Sequence, residues 1–505
     1  MPLLTSVKLM RKLSMLPALV LVTGLCWPAA PARAQETISI DPSAPQKPFP
    51  HFWEQMFGSG RAVLSLREDY RNDLRTVKKA TGVEYVRFHG IFDHEMGVYD
   101  EDANGNPVYN FSYVDQVYDG LLANGVKPFV ELSFMPEKLA ANPKPHPFWY
   151  KPIPSPPKDP QRWAALVTAF LNHLMTRYGK PEVESWYFEV WNEPNIDFWD
   201  GEPKEQTYYA FYDVTARAVK AVDARLRVGG PATAQAAWVD RFIAHCTQNH
   251  VPFDFISTHV YGNEKSEDVF GKHIDISQRD MVGRAVRKVF DQVKRSATPN
   301  VPIIWSEYNA TYLNRPDNTD SAFMGPWLAN NIRECDGLTD MMSYWTFSDV
   351  FEEQGIVKTP FYGGFGLIAE RSIPKAAFNA FVLLHRLGDH RLANTSDSVL
   401  VTRRANGTLV VAVWNYAPAG EGGASKTFRL ALKGSNEARY RLQFVDVNHG
   451  SSLSQWRALG SPAFPTLDQI QKLVTASNME PPEEHPLADP INLAPHGLAV
   501  LEIRQ

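Results

Sequence analysis

Two glutamates stand where acid–base and nucleophilic chemistry would need them. Glu193 lies in Trp191-Asn192-Glu193-Pro194-Asn195 and Glu307 in Trp305-Ser306-Glu307-Tyr308-Asn309. Each follows an apolar run, where a charge is costly unless it has a partner or a task. A pair of carboxyl groups is what cleavage of a glycosidic bond requires. One, kept protonated, gives its proton to the leaving oxygen, and the other, ionised, attacks the anomeric carbon. Their environments must push the two pKa values apart. The structural alternative is that either glutamate is one member of a buried ion pair. No CxxC or HExxH spacing occurs, so neither a metal nor another cofactor is expected.

A scaffold that brings these two groups together is legible in the hydrophobic pattern. Short apolar runs bounded by turn residues recur at 51–57, 83–88, 126–133, 185–191, 226–230, 255–260, 301–306 and 341–347. Helix-like stretches fill the intervals, at 67–81, 113–124, 160–178, 205–224, 236–249, 277–295, 321–335 and 375–387. Most of the runs are continuous rather than alternating, as parallel strands covered on both faces are. Strict strand–helix alternation implies right-handed crossovers and a parallel sheet. Eight repeats predict an α/β fold, a (β/α)8 TIM barrel; an open doubly wound sheet is second, since no GxGxxG follows the first run. Residues at the C-terminal ends of barrel strands converge on one mouth. Glu193 would end the fourth strand and Glu307 the seventh.

The pattern changes near residue 389. Runs at 398–404 and 408–416 alternate and are joined through Asn406-Gly407, a hairpin signal. Further runs at 428–432, 440–447 and 497–503 predict a C-terminal β-sandwich domain. The resulting plan is a leader over 1–34, an N-terminal strand joining the sandwich over 35–47, the barrel over 48–388 and the β-sandwich over 389–505. The proline-dense stretch 136–160 follows the third strand and would form a stiff wall of the cleft, or an irregular surface loop.

The leader has the features of a signal peptide: Lys8, Arg11 and Lys12, an apolar run over 13–27, and Ala32-Arg33-Ala34 as a cleavage pattern. Cleavage after Ala34 would yield an exported protein, periplasmic or secreted. No second long apolar run follows, so no stable membrane insertion is expected after cleavage. With 51 basic and 56 acidic residues and no basic block, the chain carries no nucleic-acid footprint. Outside the leader only Cys246 and Cys335 remain, read as free buried thiols. The sequence does not set an oligomeric state.

Six segments together carry a resemblance. Arg87-Phe88-His89-Gly90, the Asn-Glu-Pro segment 191–195, Ser257-Thr258-His259-Val260-Tyr261-Gly262, the segment 305–309, the stretch 344–353 and Gly363-Gly364-Phe365-Gly366-Leu367 occur in the order found in glycoside hydrolase family 39. This β-xylosidase and α-L-iduronidase family belongs to clan A of the retaining glycosidases, which the chain resembles through the sandwich. The resemblance implies that Glu193 is the acid/base and Glu307 the nucleophile of a double displacement, with carboxyl groups about 5–5.5 Å apart. It further implies that Asn192 binds the sugar 2-OH, that Tyr261 donates to Glu307 and favours its ionised form, and that His259 supports that mouth. His89, Glu352 and Glu353 would bind hydroxyls of the terminal sugar, and Trp345 and Phe365 would form an apolar floor. Each has a bland alternative: core histidines for His89 and His259, packing for Tyr261 and Trp345, a solvated loop pair for Glu352-Glu353.

For the substrate, an iduronate binder should offer Arg or Lys to the sugar carboxylate. None lies in the eighth-strand loop through Glu353, and Glu352-Glu353 disfavours an anionic sugar. The expected partner is therefore a xylo-oligosaccharide cut at its terminal β-D-xylosyl residue by an exo-acting, retaining β-xylosidase. The alternatives are another clan A retaining glycosidase, endo-acting on an exopolysaccharide or α-L-iduronidase-like, and a non-catalytic carbohydrate-binding protein.

Overall fold

The computed structural model describes residues 34–434 and 438–504. The leader read over 1–34 lies outside them, save Ala34 at the start of the first strand. Eight parallel strands close into a barrel in chain order: Met56–Gly58, Tyr85–Phe88, Lys127–Glu131, Tyr187–Glu189, Arg227–Thr233, Phe255–Tyr261, Ile303–Asn309 and Met341–Tyr344. The helices that cover it include Glu68–Ala80, Ser112–Ala123, Pro160–Tyr178, Lys204–Val222, Val239–Gln248, Met281–Lys294, Met324–Cys335 and Ala376–Leu384. Asp159 caps the third of these, accepting from the Gln161 and Arg162 amides. With Pro160 at the first position, the start of this helix is fixed by residues legible in the sequence. Cys246 and Cys335 are free and buried in the helices that carry them.

Side chains inside the barrel stack in layers because alternate strand residues point inward. Met56, Tyr85, Phe129, Phe255, Ile304 and Met341 form an apolar plug at the N-terminal end, joined by Tyr187. Two residues further along, the same strands present Arg87, Glu131, Glu189 and Ser257, all essentially inaccessible to solvent. The plug seals the barrel from below and leaves the charged layer to support whatever lies above it.

Downstream, a seven-stranded sheet faces a three-stranded one formed by Ala34–Ile40, Lys426–Leu432 and Ile491–Leu493. Ile38, Ile40, Phe428 and Leu430 from the small sheet pack with Val401, Val411, Leu501 and Ile503 from the large one in a single apolar core. Ala34–Ile40 pairs in parallel with Lys426–Leu432. Val399–Arg403 and Leu409–Trp414 pair through the Asn406-Gly407 turn, in which Gly407 takes φ +88°, open to glycine at no steric cost. Two helices, Leu453–Ala458 and Leu467–Ala476, interrupt this half where the pattern suggested only strands.

Candidate active site

The mouth of the barrel holds a cavity of about 690 Å³. His89, Asn192, Glu193, Tyr261, Glu307, Trp345, Glu353 and Phe365 line it, all expected from the sequence. A carboxyl oxygen of Glu193, one of Glu307 and a ring nitrogen of His259 lie within 4.8 Å of one another.

Glu193 does not end a strand. The fourth strand stops at Glu189, and the chain turns out of the sheet with Trp191 at φ 74° and Glu193 at φ 45°. The Glu193 amide still bonds to Ala232 O at 2.8 Å, and Asn195 exchanges two hydrogen bonds with Ala234. The loop after the fourth strand is thereby fastened to the loop after the fifth. Backbone held in the left-handed region by its surroundings is a recurrent feature of functional sites.

Glu307 lies within the seventh strand, beside a bulge. Thr258 pairs with Trp305 and His259 with Glu307, so Ser306 is the extra residue opposite that step. A bulge re-aims side chains locally, and here the adjacent Ser306 and Glu307 both reach inward. Tyr261 O–H donates to Glu307 Oε2 at 2.6 Å, and Arg87 Nη1 donates to Oε1 at 2.7 Å.

Arg87 was part of a matching segment without a role of its own; it is the centre of the buried layer. Its guanidinium contacts Glu131 at 2.6 Å, Glu189 at 2.6 Å and Glu307 at 2.7 Å, and donates to Asn192 Oδ1 at 3.0 Å. Since the Asn192 oxygen is taken, its amide N–H groups are left to face a ligand. His89 Nδ1 sits 2.7 Å from Glu131 Oε2. Burial alone would lower the His89 pKa, but Glu131 outweighs it and raises it above the usual value. His89 thus has the makings of a charged hydrogen-bond donor in the cavity.

His259 is fully buried beneath Glu193 rather than in the cavity wall. Its Nδ1 is 2.9 Å from Glu193 Oε1 and its Nε2 is 3.1 Å from Ser306 Oγ. Ser306 spends its single hydroxyl proton on Glu189 Oε1 at 2.6 Å. Towards His259 it can therefore only accept, which places the imidazole proton on Nε2. The bare Nδ1 then accepts from Glu193, so Glu193 carries the proton. Electrostatics agree: burial, with the Glu307 charge next, pushes the Glu193 pKa well above the carboxylate range, and burial holds His259 well below its ordinary value.

The neighbouring acidic pair splits. Glu353 lines the cavity, with Oε1 3.8 Å from His89 Nε2, and burial pushes its pKa up to about 8. Glu352, expected to bind sugar, is not among the lining residues. Its carboxylate turns to Arg67 at 2.7 Å and Arg61 at 3.4 Å, because the loop is pinned with the Glu353 carbonyl accepting from the Trp149 amide at 2.8 Å. It ties the eighth-strand loop to the start of the barrel instead.

Trp345 and Phe365 form an apolar group with Tyr261 and Phe351. Gly58 is required beneath Trp345, since a Cβ there would run into the indole. A buried clamp sets Phe365. Asp320 accepts from the Gly363 amide and Asp349 from the Gly366 amide, both at 2.6 Å. Lys375 Nζ bridges the two carboxylates at 2.7 and 2.6 Å and donates to Gly364 O at 2.9 Å. All three charged side chains are solvent-inaccessible.

The other wall of the cavity was not read residue by residue from the sequence. His146 and Phe148, from the proline-dense stretch, line it with Phe198, Lys204, Gln235, Glu264 and Tyr312. The His146 ring stacks on Phe198 at 4.4 Å, and burial lowers its pKa to about 4, leaving it a neutral, largely apolar surface. Chemically, the arrangement offers one protonated and one hydrogen-bonded carboxyl group across a space large enough for a sugar. Glu193, His259 and Glu307 also offer three donor atoms that a cation could share.

Comparison with known proteins bears on this arrangement. The model of the glycosyl hydrolases family 39 matches residues 36–492. A beta-xylosidase of Geobacillus stearothermophilus is 34% identical over 480 residues, 92% of this chain and 95% of that one. A beta-xylosidase of Caldicellulosiruptor saccharolyticus is 36% identical over 449 residues, 85% and 89% of the two chains. The crystal structure of a monomeric beta-xylosidase from Caulobacter crescentus CB15 superposes with a TM-score of 0.83 at 32% identity, covering 93% of this chain and 99% of that one.

Proposed function

The chain belongs to glycosyl hydrolase family 39, and on that footing we propose that it is an exo-acting, retaining β-xylosidase with Glu193 as acid/base and Glu307 as nucleophile. The observation that carries this reading is a pair of carboxyl groups with oxygens within 4.8 Å of each other, Glu193 with its pKa pushed up by burial and Glu307 held by donors from Arg87 and Tyr261. In the first step Glu193 gives its proton to the glycosidic oxygen while Glu307 attacks the anomeric carbon from the other face. The Glu193 proton, hydrogen-bonded to His259 Nδ1 beneath the cavity, has to turn from that ring to the glycosidic oxygen for transfer. Arg87 and Tyr261 orient the Glu307 oxygens, and Asn192 presents N–H to the 2-OH, a contact that strengthens in an oxocarbenium-like transition state. In the second step Glu193, now ionised, takes a proton from a water whose oxygen attacks the anomeric carbon, and the bond to Glu307 breaks to release the sugar with the original anomeric configuration.

In this reading His89 and Glu353, which line the cavity, bind hydroxyls of the terminal sugar over a floor of Trp345 and Phe365. A neutral sugar is favoured over an anionic one because the lining carries Glu193, Glu264, Glu307, Glu353 and Asp197 against Lys204 as its one ammonium or guanidinium group, and the beta-xylosidase relatives support a pentose. Lys204 Nζ in turn donates to Trp199 O. The sequence of the leader supports export with cleavage after Ala34. Among the described residues no helix is long and apolar enough to cross a membrane.

The test is hydrolysis of 4-nitrophenyl β-D-xyloside followed by NMR. The β-anomer of xylose should appear first and mutarotate later; first release of the α-anomer would reject the assignment. Turnover of a panel of neutral and uronic glycosides should favour the xyloside.

A further inference from the structure

At the end of the barrel opposite the cavity, three side chains converge that play no part in this chemistry. His51 and Glu54 lie in the segment entering the first barrel strand, and His385 caps the C-terminus of the last barrel helix, Ala376–Leu384. His51 Nδ1 is 2.6 Å from Glu54 Oε1, and His385 Nδ1 is 2.9 and 3.0 Å from the two Glu54 oxygens. The Glu54 side chain is 1% exposed, and among the described residues no Lys or Arg pairs with it. A carboxylate taken out of water needs partners, and here the two imidazoles are its side-chain partners among the described residues.

The geometry fits something more than a hydrogen-bonded latch. His51 is held by stacking on Trp53, with centroids 4.4 Å apart. Two imidazole nitrogens and a carboxylate oxygen are a borderline donor set of the kind zinc takes. Bonds of about 2.0–2.1 Å in a tetrahedron would set the donor atoms about 3.3 Å apart, so the His385 gap to Glu54 would widen by about 0.4 Å and the His51 gap by about 0.7 Å, with all three donor atoms already within 4.8 Å of one another. Solvent reaches the group, since the His51 and His385 side chains are 21% and 45% exposed.

We propose that His51, Glu54 and His385 form a divalent transition-metal site of the zinc class, completed by water. The site joins the entry of the first strand to the end of the last helix, the seam at which the barrel closes. Its role is to stabilise the fold, because a ligand bound by the native state alone raises stability with its concentration.

Titration of chelator-treated protein with zinc chloride, by calorimetry and thermal unfolding, tests this. His51→Gln and His385→Gln are the informative variants, since glutamine can still donate a hydrogen bond to Glu54 but is a poor zinc ligand. One equivalent should bind and raise the melting temperature. Each variant should bind more than tenfold more weakly and lose the thermal shift, with xyloside hydrolysis unchanged. The proposal is overturned by no saturable binding up to about 100 µM zinc, or by affinity within tenfold of the parent in either variant. It is overturned equally by zinc that blocks hydrolysis and survives both substitutions, which would place the ion at Glu193, His259 and Glu307.

Discussion

Removing the Ser306 hydroxyl should change the pH at which hydrolysis fails. Its one proton goes to Glu189 Oε1 at 2.6 Å, and its lone pair takes the His259 Nε2 proton at 3.1 Å. In Ser306→Ala that acceptor is gone. The imidazole then gains by carrying its proton on Nδ1, from which it donates to Glu193 Oε1 across 2.9 Å. A donor in place of an acceptor favours the ionised carboxyl group. One such bond is worth about 0.5–1.5 kcal/mol net, and about 1.4 kcal/mol corresponds to one pKa unit, so Glu193 should titrate roughly half to one unit lower. Burial holds this pKa above the ordinary range in the parent. The protonated form is the one that serves the leaving group, so activity is lost as pH rises through the pKa. Lowering the pKa therefore moves the alkaline limb of kcat/KM to lower pH by the same amount. The assay is a pH profile on phenyl β-xyloside, whose poor leaving group needs the proton. Stability should fall by about 1–3 kcal/mol, because two buried partners lose their hydroxyl. An alkaline limb that stays in place, or shifts upward, would refute the tautomer argument.

Tyr261→Phe removes the 2.6 Å bond to Glu307 Oε2; kcat/KM on nitrophenyl xyloside should fall by about tenfold to a hundredfold, at about 1.4 kcal/mol per decade of rate, with stability nearly intact. Lys375→Met leaves Asp320 and Asp349 facing each other in a dry interior, at a cost of about 3–5 kcal/mol, whereas Asp320→Asn leaves a matched pair and should cost less than about 2 kcal/mol; denaturant unfolding separates the two. Partial release of the Gly363–Gly366 turn in Asp320→Asn should raise KM through Phe365 more than it lowers kcat. Glu353→Gln should weaken xyloside binding, while Glu352→Gln, which loses only its ties to Arg61 and Arg67, should lower thermal stability and leave KM within about threefold; steady-state kinetics on both variants decide whether the two carboxylates have separate tasks.

The barrel could be read from the sequence because each strand and helix announces itself locally. Continuous apolar runs mark strands covered on both faces, and residues such as Asp159-Pro160 mark a helix start. The position of Glu193 was harder. It rests on left-handed backbone at Trp191 and Glu193, and nothing in those residue types requires positive φ. Ser306 and Glu307 both face inward because of a bulge, which strict alternation would have denied. Arg87, Glu131 and Glu189 passed for strand residues, although charge inside an apolar barrel run was a usable signal of a buried network. Glu352 and Glu353 differ only in which way a pinned loop turns them, and that depends on a backbone contact with Trp149, more than 200 positions away in the chain. The helix Leu467–Ala476 was legible: Thr466 and Gln469 form a capping box, but the expectation of strands obscured it.

The central claim is that Glu307 becomes covalently bonded to the sugar while Glu193 manages the proton. Incubation with 2-deoxy-2-fluoro-β-xylosyl fluoride, followed by proteolysis and mass spectrometry of the labelled peptide, addresses it most directly. The electron-withdrawing fluorine slows breakdown of the intermediate more than its formation when the leaving group is good. The label should sit on Glu307 in the parent and, with this activated donor, also in Glu193→Gln, and it should vanish in Glu307→Gln. A label on Glu193, or an active enzyme that accumulates no label at all, would contradict the account.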